Sequence, residues 1–198
     1  MDIIFATQNP NKVQEVQSQL KKSFNIVSLL DIGYTQELEE TKETLEGNAL
    51  QKARFVNEKF SKNCFADDTG LEVIALDSAP GVYSARYAGE EKSFEKNMAK
   101  VLSELSGVKN REAQFRTVIA CIFNGQEFLF EGICRGIITK DKRGDKGFGY
   151  DPIFLPEGYE QTFAEMPMSL KTRISHRAKA VSMFADFLNE RELANFSS

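Results

Sequence analysis

The 198-residue sequence contains no Trp, a single His and only three Cys. One histidine cannot supply an H-E-x-x-H motif or any other two-histidine zinc site. Cys64, Cys121 and Cys134 include no C-x-x-C pair, which excludes zinc ribbons and thioredoxin-like redox motifs. So sparse and odd a count points to a reducing compartment rather than a disulfide scaffold. Any Ser–His or Cys–His device would need His176 as its base. Long apolar runs are missing as well: none approaches the ~20 residues of a membrane-spanning helix. The opening residues MDIIFATQ carry neither the basic flank nor the apolar stretch of a secretion signal. A cytoplasmic protein without membrane contact is the expectation. The net charge of −4 argues against a nucleic-acid polymer as partner. A small anionic ligand in a local basic pocket stays open.

What is present is ordinary for a globular chain: 41% hydrophobic and 27% charged residues. No repeat or low-complexity segment divides it. Residues 2–6 read as a buried strand, followed by a helix to about residue 22 with Asn9 as N-cap, Pro10 at its first position and Val13, Val16 and Leu20 inward. Residues 25–30 read as a second strand. An acidic stretch, Glu37 to Glu46, leads into a helix in which Leu45, Ala49, Ala53, Val56 and Phe60 recur at helical spacing. A short strand, 64–66, ends at Asp67-Asp68-Thr69-Gly70, and another spans 71–76. Residues 80–89 read as an ordered loop and 93–105 as a helix with Phe94, Met98, Val101, Leu102 and Leu105 on one side. Strands 113–123 and 126–134 flank Asn124-Gly125, a strong hairpin signal. A loop at 140–152 and a last helix at 176–190 complete an α/β pattern with a mixed sheet.

Three features break local rules. Lys12 stands in a first helical turn, where the macrodipole disfavours cations. It reads either as a solvated lysine or as part of an anion site built with the free amides of the helix start. Lys171, His176 and Arg177 repeat the pattern at the last helix, with Ser175 as N-cap; two such places suit a ligand with several negative groups. Asp67 and Asp68 are adjacent carboxylates at a strand end. A divalent cation, a general-base task or a plain Asx turn would each account for them. Side-chain alternation directs the two apart, so only one need enter a site. Finally, Lys146-Gly147-Phe148-Gly149-Tyr150-Asp151-Pro152 combines glycines, two aromatic faces and an acceptor. It reads as a capped turn or as a platform for a flat heterocycle.

These segments together resemble a known family. T-x-N-P-x-K at 7–12, A-D-D-T-G-L at 66–71, P-G-V-Y-S-A-R-Y at 80–87, G-F-G-Y-D-P at 147–152 and I-S-H-R at 174–177 stand in the order and spacing of the inosine triphosphate pyrophosphatase family, and within it of the bacterial branch acting on non-canonical purine nucleotides. The resemblance implies a single domain over residues 1–198: an elongated, two-lobed α/β fold with a central mixed sheet and an active site in the inter-lobe cleft. It implies a homodimer, Mg2+ as cofactor, and hydrolysis of ITP, dITP and XTP to a monophosphate and pyrophosphate. By motif, Thr7, Gln8, Asn9, Pro10, Asn11 and Lys12 line the phosphate end, with Thr7, Asn9 and Lys12 holding the phosphates. Lys52 matches a further phosphate-binding lysine. Asp68 matches the catalytic base and metal-associated carboxylate, and Thr69 follows at a substrate-contacting position. Phe148, Gly149, Tyr150 and Asp151 line the base and sugar, and Lys171, His176 and Arg177 complete the pocket. The resemblance thus moves His176 from the role of base to that of a purine reader. The second metal carboxylate falls on the Glu39-Glu40 pair and is placed on Glu39. Gln8 replaces a small residue usual in the family, and Thr69 stands where serine is common.

Overall fold

A computed structural model describes residues 1–21 and 23–196, the last five of these as backbone alone. Among the described residues, six strands and five α-helices follow in the order β1 (Asp2–Phe5), α1 (Pro10–Gln17), β2 (Asn25–Ser28), α2 (Leu45–Phe60), β3 (Cys64–Val73), α3 (Phe94–Glu104), β4 (Glu112–Phe123), β5 (Gln126–Ile138), β6 (Phe154–Pro156), α4 (Met168–Ile174) and α5 (His176–Phe196). The strands form one sheet in the order β2-β1-β3-β4-β5-β6. β1 runs parallel to both β2 and β3, with Ile4 opposite Val27 and Cys64, whereas β5 and β6 are antiparallel. The expected mixed α/β sheet is therefore present. Asn124 and Gly125 both have positive φ, as a two-residue turn between right-twisted strands demands.

The chain divides into two compact units. The first comprises residues 1–68, 117–132 and the chain from His176 on; the second comprises 69–116 and 133–175. In the first, Ile3, Phe5, Val16, Phe65, Ile119, Phe184 and Leu188 form a core in which the Phe5 and Phe65 rings stack at 4.3 Å. In the second, Leu71, Val73, Val101, Phe115, Phe154 and Phe163 form another, with Phe115 edge-on to Phe154 at 4.6 Å. Among the described residues no helix is long and apolar enough to cross a membrane.

Several expectations need correction. α1 ends at Gln17, short of Lys22, which lies outside the described residues. Its last turn is closed by side chains: Ser18 Oγ and Gln19 Nε2 both donate to the Glu15 carbonyl, replacing the backbone donors that would extend the helix. Asp67 to Gly70 do not interrupt a strand but lie inside β3, because each carboxylate finds cationic or amide partners there. Residues 74–76 form a 3-10 turn instead of strand, and the loop at 80–89 contains another over Gly81–Arg86. β6 and α4 were not expected. β6 is a three-residue edge strand ending in Pro156, where a missing N–H costs nothing. α4 is only seven residues long, too short for a periodic signal. Phe94 is exposed rather than inward.

Candidate active site

In the first unit, a strand–loop–helix presents the N-terminal motif. Asn9 accepts from the Asn11 amide at 2.9 Å, and Thr7 Oγ1 accepts from the Asn9 amide at 3.2 Å, so the side chains set the loop. Gln8 reaches away from this motif and donates to the carbonyl of Gln36 at 2.8 Å. Lys12, expected to face solvent or an anion, donates to Asp67 Oδ1 at 2.8 Å.

Asp67 is the centre of a buried ionic chain. Its Oδ2 accepts from Arg177 Nε at 3.2 Å, and Arg177 Nη1 reaches Glu15 Oε2 at 2.5 Å. Asp67, Arg177 and Glu15 are all under 5% exposed. Two carboxylates thus face two cations. Burial opposes the Asp67 charge, yet Lys12 and Arg177 outweigh it and hold its pKa far below the ordinary value. Arg177, expected to complete the substrate pocket, is held on two carboxylates. His176 opens α5 and is buried. Gly132 of β5 admits that first turn: a Cβ there would lie 2.0 Å from the His176 carbonyl oxygen.

Asp68 is a different kind of carboxylate. Its neighbours are the Asn48 amide, donating to Oδ2 at 3.1 Å, and Lys52 Nζ, 3.6 Å from Oδ1. The same ammonium donates to Glu40 Oε1 at 2.5 Å and to the Asp67 carbonyl at 2.8 Å. Burial raises the Asp68 pKa, and Lys52 only partly offsets this because Glu40 adds like charge. Burial alone would lower the Lys52 pKa, but Asp68 and Glu40 outweigh it and keep the ammonium charged. Lys52, expected on phosphates, therefore bridges carboxylates. Of the acidic pair, Glu40 is brought to Lys52 beside Asp68, while Glu39 is exposed. The carboxylate that this geometry places beside Asp68 is thus Glu40, the other member of the expected pair. Among the described residues no group of three or more His, Cys, Asp or Glu side chains gathers to hold a metal. Two carboxylates suffice for Mg2+ that arrives with phosphate oxygens, because Mg2+ keeps most of its shell as water and substrate. The donor set therefore fits.

In the second unit, Asp151 is buried and its Oδ2 accepts both Lys171 Nζ and the Phe148 amide at 2.8 Å. Lys171 Nζ also lies 4.9 Å from the Phe148 ring centre, within cation–π range. Phe148 is half-buried, and its ring lies 6.4 Å from that of the exposed Phe94. Tyr150 does not offer its face, contrary to expectation. It is 5% exposed, sits in the core and donates its hydroxyl to the Ser84 carbonyl at 2.8 Å. Gly149 follows Phe148 with φ of +64°. Thr69 is half-buried in β3.

Sequence reasoning missed Glu15, Asn48 and the separate task of Asp67. Glu15 had one usable signal: it stands three residues from Lys12 and next to Val16, on the buried side of α1.

A family model described as the Ham1 family matches residues 3–187. The chain is 52% identical over 188 residues, 95% of its length and 98% of the relative's, to a dITP/XTP pyrophosphatase of Flavobacterium johnsoniae. It is 44% identical to one of Bacillus subtilis, covering 94% of this chain and 96% of that protein. Among solved structures, the Staphylococcus aureus Ham1 protein superposes with a TM-score of 0.88 at 36% identity, covering 96% of this chain and all of that one.

Proposed function

The chain belongs to the Ham1 family, and from that premise we propose that it hydrolyses non-canonical purine nucleoside triphosphates (ITP, dITP and XTP) to a monophosphate and pyrophosphate. The observation that carries the reading is Asp68: a buried carboxylate with a raised pKa, beside a shared ammonium and a second carboxylate. A carboxylate whose charged form is disfavoured in this way holds a proton more readily than an ordinary aspartate, as a general base requires.

Asp68 orients a water and takes its proton as the water oxygen bonds to the α-phosphorus. The bond from that phosphorus to the bridging oxygen breaks, and the electron pair leaves with pyrophosphate. Lys12 and the first-turn amides of α1 bind the departing negative oxygens. Thr7 and Asn9 hold the loop that aims those amides. Glu40 and Asp68 would hold Mg2+, which when bound neutralises triphosphate charge. Asp67, Arg177 and Glu15 keep Lys12 and α5 in place. Phe148 gives a face on which a purine stacks, with the Lys171–Asp151 pair behind it fixing its loop. Rejection of adenine follows from donor–acceptor mismatch: a 6-oxo purine presents an acceptor where adenine presents a donor.

Release of pyrophosphate, identified as pyrophosphate rather than phosphate, is the test. With Mg2+, ITP, dITP and XTP are expected to turn over much faster than ATP and GTP. Equal rates on all five would sink the assignment. A homodimer is proposed with this reading and is checked by light scattering.

A further inference from the structure

Residues 34–44 form an arm without regular secondary structure between β2 and α2, and it carries Glu40. Side chains of α2 dock it. Gln51 Oε1 accepts from the Thr41 amide at 3.1 Å, Lys52 holds Glu40, and Asn48 Oδ1 accepts from the Lys42 amide at 2.8 Å. Asn48 is completely buried. A backbone N–H can only donate, so the oxygen of the Asn48 amide must face Lys42. Its nitrogen must then face Asp68, to which it donates at 3.1 Å. One amide group thus reads whether the arm is in place and sets the orientation of the proposed base.

Gly47 is the second part of the device. A Cβ there would stand 2.7 Å from Lys42 Cβ and 3.1 Å from Thr44 Oγ1. Alanine is the better helix former by about 1 kcal/mol, so glycine at this helical position answers to the arm lying against it.

We propose that Asn48 is a positioning residue that makes docking of the acidic arm and alignment of the Asp68 carboxylate a single event, with Gly47 as the gap that admits the arm. The proposal rests on the reading of Asp68 as the base. An arm that lifts takes Glu40 from Lys52 and the acceptor's partner from Asn48, whose amide then loses its fixed orientation. Arm docking therefore acts on turnover more than on nucleotide affinity.

Three variants test it: Asn48→Asp, Asn48→Leu and Gly47→Ala. Each is measured for thermal stability, for exchange of the Lys42 amide proton, and for kcat and KM on ITP at pH 9, which keeps an introduced carboxyl ionised. Asn48→Asp still offers an acceptor to Lys42, so protection of that amide persists, but position 48 no longer donates to Asp68. Its kcat is expected to fall about 10- to 100-fold, the scale of a misplaced catalytic group, with KM little changed. Gly47→Ala leaves every proposed catalytic side chain intact, yet speeds Lys42 exchange about fivefold or more, as for a lost hydrogen bond, and lowers kcat. Asn48→Leu does both. Wild-type kcat in a folded Asn48→Asp, or unchanged Lys42 exchange in Gly47→Ala, overturns the proposal. Should the Asn48 variants not fold, Gly47→Ala decides alone. A wild-type chain that releases no pyrophosphate from ITP refutes the functional reading instead, and the exchange data still decide whether docking runs through Asn48.

Discussion

The two units handle charge in opposite ways. The first gathers Glu15, Asp67, Asp68 and Glu40 with Lys12, Lys52 and Arg177, in a chain of contacts at 2.5–3.6 Å. The second buries the ion pair of Lys171 with Asp151 beneath an aromatic ring. The difference teaches what each is fit for. A dense, alternating charge network accommodates phosphate, metal and proton transfer, since each added charge meets a nearby compensating one. A sealed pair beside Phe148 fixes a loop and leaves an apolar face for a neutral ring. Within the first unit the same contrast recurs between neighbours: Asp67 is locked by two cations, while Asp68 is desolvated and only partly compensated.

The largest expected effect comes from Asp68→Asn. The amide is isosteric but accepts no proton, so kcat should fall at least ~100-fold, the low end for loss of a general base, while the protein stays folded. Near-wild-type turnover would remove Asp68 from the role and erase the contrast with Asp67.

Asp67→Asn should instead act on stability. It leaves Lys12 and Arg177 short of an anion in a buried setting, a loss of about 3 kcal/mol, the low end because Arg177 keeps Glu15, or ~6–12 °C in Tm for a chain of this size. Asp68→Asn, measured in EDTA, should raise Tm, since it removes a carboxylate whose charged form burial disfavours. The pH dependence separates them further. The Asp67 pKa is lowered on folding, so its contribution is present above its ordinary 3.8 and is lost as pH falls below that towards the folded value. The Asp68 pKa is raised, so its cost is absent below 3.8 and grows as pH rises through the folded value. The Asp68→Asn gain should therefore vanish in acid. Thermal melts of both variants from pH 3 to 8 check the two signs; like signs would collapse the comparison.

Much of this was legible in the chain. The Asn9 cap, the Asn124-Gly125 hairpin and the apolar stripe of α2 are local chemistry, and each stands where local rules put it. The site was legible as motifs, not as contacts. Lys12 meets Asp67 across 55 positions and Arg177 meets Glu15 across 162. No local rule foretells that two adjacent aspartates remain inside a strand, because the cations that permit it come from other helices. The pairing of Glu40 with Lys52, twelve residues further on, is likewise beyond local rules.

In the second unit, Asp151→Asn keeps an acceptor for both the Phe148 amide and Lys171 Nζ but removes the negative charge facing that buried ammonium, which retains two aromatic rings at 4.9 and 5.8 Å. A loss of ~2 kcal/mol follows, below that for a pair with no such shelter. The looser Phe148 loop should raise KM for ITP and narrow the preference for ITP over ATP, with kcat less affected. A fall in kcat alone would put Asp151 among the charges that act on phosphate and blur the division between the units.

Tyr150→Phe is the finest cut. The hydroxyl donates to the Ser84 carbonyl inside the second core at 2.8 Å, so its removal leaves that buried acceptor with the longer 3.4 Å donation from Asn97 Nδ2. That costs about 1–2 kcal/mol. The ring itself remains, and because it packs inward rather than facing a ligand, selectivity between ITP and ATP should not move. Melting and a two-substrate assay on this one variant separate the possibilities. A lower Tm with an unchanged ITP-to-ATP ratio places Tyr150 in the scaffold and leaves Phe148 as the purine's platform. An altered ratio at unchanged Tm would mean that the hydroxyl meets the nucleotide, and that the second unit reads its ligand by hydrogen bonding as well as by stacking.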